Sequence, residues 1–164
     1  MDEKPNTNVR SYAAGRQLQI AERIGSGKDG VVWVGKSPIG LARVALKAHR
    51  FAELYFREKA VYQRLEEKRI SSIQSFNVPE LLGTDDRLQV IEMTIVQRPF
   101  VLDFAGAHLD ARPEFSAEIW ADWEADKREQ FEGNWPTVEK ILAAFEEFGV
   151  YLLDVTPGNI GFLD

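Results

Sequence analysis

Six residues, Gly25-Ser26-Gly27-Lys28-Asp29-Gly30, lie between two runs that read as β-strands, 18–24 (LQIAERI) and 31–35 (VVWVG). Glycines at this spacing serve several phosphate-binding arrangements, and each demands a different continuation. A Walker A loop needs Ser or Thr after its lysine and a glycine five positions before the second one. Here Lys28 is followed by Asp29, and position 22 is Glu22. A Rossmann turn opens a helix and finds an acidic residue ~20 positions on. Here a strand follows, rich in β-branched and aromatic residues. What remains is strand, glycine turn, strand: a flap whose backbone amides can lie over phosphates. Ordinary turn composition uses the same residues, so the cluster alone leaves both readings open.

The rest of the chain fixes the class. Residues 1–16 read as a polar leader. ARVALKAH (42–49) is a third strand, and at 51–68 the period turns helical, with Leu54, Glu58, Val61 and Leu65 on one face. ELLG and RLQVIEMTIV supply further strands. Residues 113–131 form an acidic amphipathic helix carrying Phe115, Ile119, Trp120 and Trp123. Pro136 opens another helix, whose stripe is Val138, Ile141, Leu142, Phe145 and Phe148, and Gly149 suits its end. The chain then runs strand, tight turn, strand. Strands precede residue 97 and helices follow it, so the fold class is α+β in two parts, 17–96 and 97–164, after the leader.

Composition excludes several classes. The formal charge of −6 provides no basic footprint for nucleic acid. Without cysteine there is no disulfide framework, thiolate zinc site or cysteine nucleophile. No signal-peptide pattern opens the sequence, and no run approaches the ~20 apolar residues of a membrane span. The expectation is a soluble, cytoplasmic chain. His49 and His108 read as surface or packed histidines, Trp120, Trp123 and Trp135 as packing, and EADKREQFE as a solvated helix face.

Two side chains call for each other. Lys47 stands in the run Val44-Ala45-Leu46-Lys47, where a buried strand would hide it, and a half-buried ammonium seeks an anion. Glu58 sits in the middle of the apolar stripe of the next helix, where a carboxylate is costly unless paired. A solvated lysine and a rim glutamate are the bland alternatives; together the two suggest a buried Lys–Glu bridge. Asp154-Val-Thr-Pro-Gly-Asn159 is, taken alone, any tight turn. Its place after the other motifs, in order, gives it more weight.

In that order the motifs resemble the protein kinase family. Gly25-Ser-Gly27-Lys-Asp-Gly30-Val-Val32 resembles the glycine loop, Val44-Ala45-Leu46-Lys47 the third-strand lysine, and FREKAVYQRL with Glu58 helix C. VIEMTIV resembles the hinge, with Ile91 as gatekeeper, and Asp154-x-x-x-x-Asn159 the catalytic loop. The resemblance implies an antiparallel N-terminal sheet plus helix C and a short, mainly helical C-terminal part. It implies ATP and Mg2+, transfer of the γ-phosphate to a hydroxyl, a protein Ser/Thr foremost, and Lys47, Glu58, Asp154 and Asn159 as the catalytic set, with Asn159 on the metal. The nucleotide would meet Ile24, Gly25, Ser26, Gly27, Gly30, Val32, Ala45, Lys47, Ile91, Glu92 and Thr94.

Departures from the family pattern keep a second reading open, a non-catalytic nucleotide-binding sensor or scaffold. Leu152-Leu153 replaces the usual His-Arg, Thr156 the usual lysine, and Gly161 the bulky residue beneath the adenine. After Asn159 the sequence reaches Asp164 without an Asp-Phe-Gly motif. An interaction module that keeps only the fold is a third reading. The apolar residues 138–162 lack an obvious cover, which predicts self-association or a partner through that face. No role for nucleic acid or membrane is expected.

Overall fold

The computed structural model describes residues 3–164. The strand–turn–strand pattern is realised as β1 (Gln19–Ser26) and β2 (Gly30–Lys36), followed by β3 (Arg43–His49) and helix α2 (Ala52–Glu67). Strands β6 (Leu81–Asp85) and β7 (Val90–Thr94) complete a five-stranded antiparallel sheet in the order β1-β2-β3-β7-β6. Shorter strands join the remainder: β4 (Ser72–Ile73), β5 (Phe76–Asn77), β8 (Phe100–Val101) and β11 (Ile160–Gly161) form one small sheet, β9 (His108–Leu109) and β10 (Val150–Tyr151) another. Helices α3 (Ala117–Phe131) and α4 (Trp135–Glu146) lie between β9 and β10. The α+β class is as the sequence implies, and no helix of the described residues is long and apolar enough to cross a membrane.

Side-chain alternation along β3 and β7 divides the protein into layers. Ala45, Ile91 and Met93 face a core built with Tyr55, Val61 and Leu65 of α2 and Ile141 and Phe145 of α4. Leu46, Ala48 and Val90 face the other way, into a second core. That second core is closed by a helix, α1 (Glu3–Gly15), which buries Val9, Tyr12 and Ala13. The polar leader is therefore a structural element. Its three apolar contacts fall at i, i+3 and i+4, one short stripe in otherwise polar sequence, and that is why composition hid it. One polar cluster pins it to the sheet. The Tyr12 hydroxyl donates to Glu92 Oε1 (3.0 Å), and Arg16 donates from Nε to Oε1 (2.9 Å) and from Nη2 to Oε2 (3.2 Å). Burial, reinforced by the Glu92 charge, pushes the Tyr12 phenol up to about 12.

The two later helices start and stop for local reasons. Ser116 caps α3, its side chain accepting from the Ile119 amide. Pro136 occupies the first turn of α4. After it, Gly149 takes φ +75, and an added Cβ there would stand 2.6 Å from Asp110 Oδ1 and 2.7 Å from Arg64 Nη1, which pair with each other beside it. The apolar face expected to lack a cover has one. Ile141, Phe145 and Ile160 are buried, and Leu142, Phe148, Leu152 and Phe162 pack against the same core. The basis for self-association through those residues is thereby removed: α2, β8 and the segment after β8 fill the space the sequence left unassigned.

Because Glu92 is buried, losing one donor to it leaves a carboxylate short of a partner. Tyr12→Phe should lower the unfolding free energy by about 1.5–3 kcal/mol, measured by urea denaturation. An unchanged midpoint would mean that α1 does not dock through this contact.

Candidate functional site

A cleft of about 410 Å³ opens beneath the β1–β2 turn. Its roof is Ile24, Gly25 and Val32, with Gly25 opposite Val32 in the ladder. The Gly27 amide donates to the Gly30 carbonyl (3.0 Å) and closes the turn, and Arg50 Nη2 donates to the Gly27 carbonyl (2.9 Å) from the end of β3. Gly30 has no alternative, since an added Cβ would lie 2.1 Å from the Ala48 carbonyl oxygen. Ser26, Gly27 and Gly30 thus shape the flap without lining the cleft.

The back edge overlaps the sequence-based assignment at Met93 and Thr94 and extends past it to Val96, while Ile91 and Glu92 fall outside. Ala45 pairs with Met93, and Met93, Thr94, Ile95 and Val96 line the cleft. Ile91, expected as gatekeeper, is fully buried and lies outside the lining; Glu92, expected at the adenine, points through the sheet to Tyr12 and Arg16. Period-2 alternation is the reason. Glu92 shares its face with Val90, while Ile91 and Met93 share the other, and only Met93 stands near the strand end where the cleft begins.

The expected ion pair is present. Lys47 Nζ lies 2.8 Å from Glu58 Oε1, and Lys47 is 8% and Glu58 0% exposed. Two further partners complete the carboxylate: His49 Nε2 lies 2.6 Å from Oε1, and the Phe104 amide donates to Oε2 (2.7 Å). Burial alone would raise the Glu58 carboxyl, but the Lys47 charge and the His49 contacts outweigh it and hold the group down to about 2. Burial likewise disfavours the Lys47 ammonium, and Glu58 and Asp103 reverse that, raising it above the ordinary lysine value. His49 is packed at the heart of the site.

Asp103 is the residue that motif reading missed. Lys47 Nζ donates to its Oδ1 (3.0 Å), as does the Ala105 amide (3.2 Å), and Oδ2 takes no hydrogen bond from the described residues. Its backbone stands at φ +65, a region a non-glycine residue occupies at some cost and that Asp tolerates better than most. The sequence holds the signal, Asp103-Phe104-Ala105-Gly106, but well upstream of Asp154. Antiparallel pairing of β8 with β11 brings the two segments together, with Ile160 opposite Val101 and the Leu102 amide donating to the Asn159 carbonyl (2.7 Å).

Asn159 lines the cleft beside Asp103, and Asp154 joins both around a small adjoining cavity. Asn159 Nδ2 donates to the Asp154 carbonyl (3.0 Å), and its Oδ1 accepts no hydrogen bond among the described residues. Thr156 fixes the turn, its carbonyl accepting from the Asn159 and Ile160 amides. Gly161 leaves the room that the Phe100 ring fills: an added Cβ would lie 2.6 Å from that ring. Phe100 and Leu102 therefore floor the cleft from the earlier strand. No three His, Asp or Glu side chains converge as a metal-binding group among the described residues.

No protein-family model matches this sequence, and a search of curated proteins finds no match.

The charged cluster carries a pH signature. Glu58 sits below its ordinary 4.5, so its contribution is complete above about 4.5 and is lost as pH falls towards 2. Unfolding free energy should drop on the order of a few kcal/mol across that window, and Glu58→Gln, followed by denaturation at each pH, should flatten the slope. Equal acid slopes in the two proteins would contradict the assignment.

Proposed function

We propose that the chain is a kinase-like phosphotransferase that binds ATP in this cleft and transfers the γ-phosphate to a hydroxyl. The observation that carries the reading is the convergence of Lys47, Glu58, Asp103 and Asn159 in one cleft beneath a glycine hairpin. The adenine fits between Ala45 and Met93 above and Phe100 and Leu102 below, at the exposed strand end where Ile95 and Val96 leave the ladder. The phosphates lie under Gly25 and reach Lys47, which Glu58 holds in place.

The donor set suits a magnesium ion. Asp103 Oδ2 and Asn159 Oδ1 are hard oxygen donors without competing partners among the described residues, and magnesium is commonly held by one or two protein oxygens plus substrate phosphates. A bound divalent ion supplies charge neutralisation on the phosphates. Asp154 is the acceptor-side group. The acceptor oxygen forms a bond to the γ-phosphorus as the bond from that phosphorus to the β–γ bridging oxygen breaks; ADP departs and the acceptor proton passes to the Asp154 carboxylate. A protein Ser/Thr is the first acceptor to test, and a cysteine-free chain suits the cytoplasm.

The alternative, a nucleotide-binding protein without turnover, is favoured by one feature: Thr156 replaces a lysine near the transferred phosphate and is used to hold Asn159. Calorimetry with ATP and Mg2+ and a phosphate-transfer assay separate the two. Lys47→Met should weaken nucleotide binding by about 1–3 kcal/mol. Asp154→Asn should leave binding intact and lower turnover by about 10²–10⁴-fold. Binding without turnover in the wild type would establish the sensor reading, and no nucleotide binding would remove both.

A further inference from the structure

A second groove, of about 520 Å³, lies between α3 and α4 and shares no lining residue with the cleft. Helix α3 is poorly covered: it buries only Lys127 and Phe131, and Ile119 is 52% exposed. Aromatic rings run through the groove in a chain of edge contacts, Trp120 to Trp123 (5.8 Å between centroids) and Trp123 to Trp135 (6.3 Å). Its rim is acidic. Glu124 is paired with Arg128, whereas Glu139 and Glu146 form no ion pair among the described residues. Residues 110–149 hold eleven acidic and four basic side chains, so this stretch is more negative than the chain as a whole at −6.

Two details narrow the occupant. Arg112 lies over the Trp120 ring with its Cζ 3.8 Å from the centroid, so this surface already accommodates a guanidinium on an aromatic face. Glu139 and Glu146 stand seven residues apart on one face of α4, about 10 Å along the helix axis, so one small cation does not reach both. Cations for the aromatic faces and for two separated glutamates describe a basic peptide more closely than a simple amine.

We infer that the α3–α4 groove docks an arginine-bearing segment of a partner protein. Its basic side chains stack in the tryptophan groove and pair with Glu139 and Glu146. The assignment is independent of whether the cleft turns over nucleotide.

Three of the four tryptophans lie in this groove, so intrinsic fluorescence reports on it. The probes are acetyl-Gly-Arg-Gly-Arg-Gly-amide, its citrulline counterpart with the same backbone but no charge, and arginine amide. The arginine peptide should shift the fluorescence saturably and move the Trp135 indole resonance. Both other probes should bind about tenfold more weakly. Glu139→Gln combined with Glu146→Gln should also cost about tenfold in peptide affinity, and as both glutamates are exposed the unfolding midpoint should hold. The wild-type comparisons stand even where the double variant proves unstable. Absence of a saturable shift, equal binding of the citrulline peptide, equal binding of arginine amide, or full affinity in a folded double variant would each overturn the inference.

Discussion

The carboxylate of Glu58 is buried to zero exposure on a helix that otherwise presents apolar side chains, and most of the architecture around the cleft follows from what it requires. A buried charge is tolerated only when its partners fill its coordination, and removing one partner of such a pair costs about 3–5 kcal/mol. Here three partners come from two places: Lys47 and His49 from alternate positions of β3, and the Phe104 amide from the segment after β8. A single side chain therefore joins the sheet, α2 and the loop bearing Asp103. Lys47 closes the circuit by reaching Asp103 itself. The parts of the site are tied together before any ligand arrives.

Chain order makes this connection unusual to read. The β8 segment leaves the sheet, delivers Asp103 and Phe104, and only then does the chain build α3 and α4 and return through Asp154 to β11. The two halves of the site meet through a two-residue ladder, the Leu102–Asn159 hydrogen bond and the close approach of Gly106 to Asp154, where an added Cβ would stand 3.1 Å from the Asp154 Cβ. Short as it is, that ladder sits on Val101 and Ile160, both buried in the main core. Packing supplies what so few hydrogen bonds cannot.

What was legible in the sequence, and what was not, divides along the same physical line. The Lys47–Glu58 pair could be read because a carboxylate in an apolar stripe has few ways to be satisfied. The glycine flap could be read because its strand context excluded the helix-opening alternatives. Asp103 escaped because its importance comes from strand pairing between distant segments, which motif order along the chain does not encode. The resemblance to a hinge puts Glu92 at the cleft, but a resemblance does not say which face of a strand a side chain takes, and the helix that claims the Glu92 carboxylate reads in sequence as a polar leader. The supposedly bare C-terminal face failed for a related reason: the cover comes from α2 and the β8 segment, far away in sequence.

The charge balance of the cleft bears on how it can work. Lys47 is matched by two carboxylates, Glu58 and Asp103, so the deep part of the cleft has no surplus positive charge to offer a polyphosphate. Glu58 is committed to its three partners and stays ionised, held far below its ordinary value. Asp103 is part-exposed, with one oxygen unused. A nucleotide entering alone would meet this second carboxylate as a repulsive neighbour, at short range and in a partly desolvated site where charge counts for more than in water. A divalent cation held between Asp103 and Asn159 would reverse the sign of that encounter, making the Asp103 carboxylate a ligand where it had been an obstacle. On the phosphotransferase reading, then, the arrangement ties nucleotide affinity to the metal, and it does so through the residue that the order of motifs along the chain conceals.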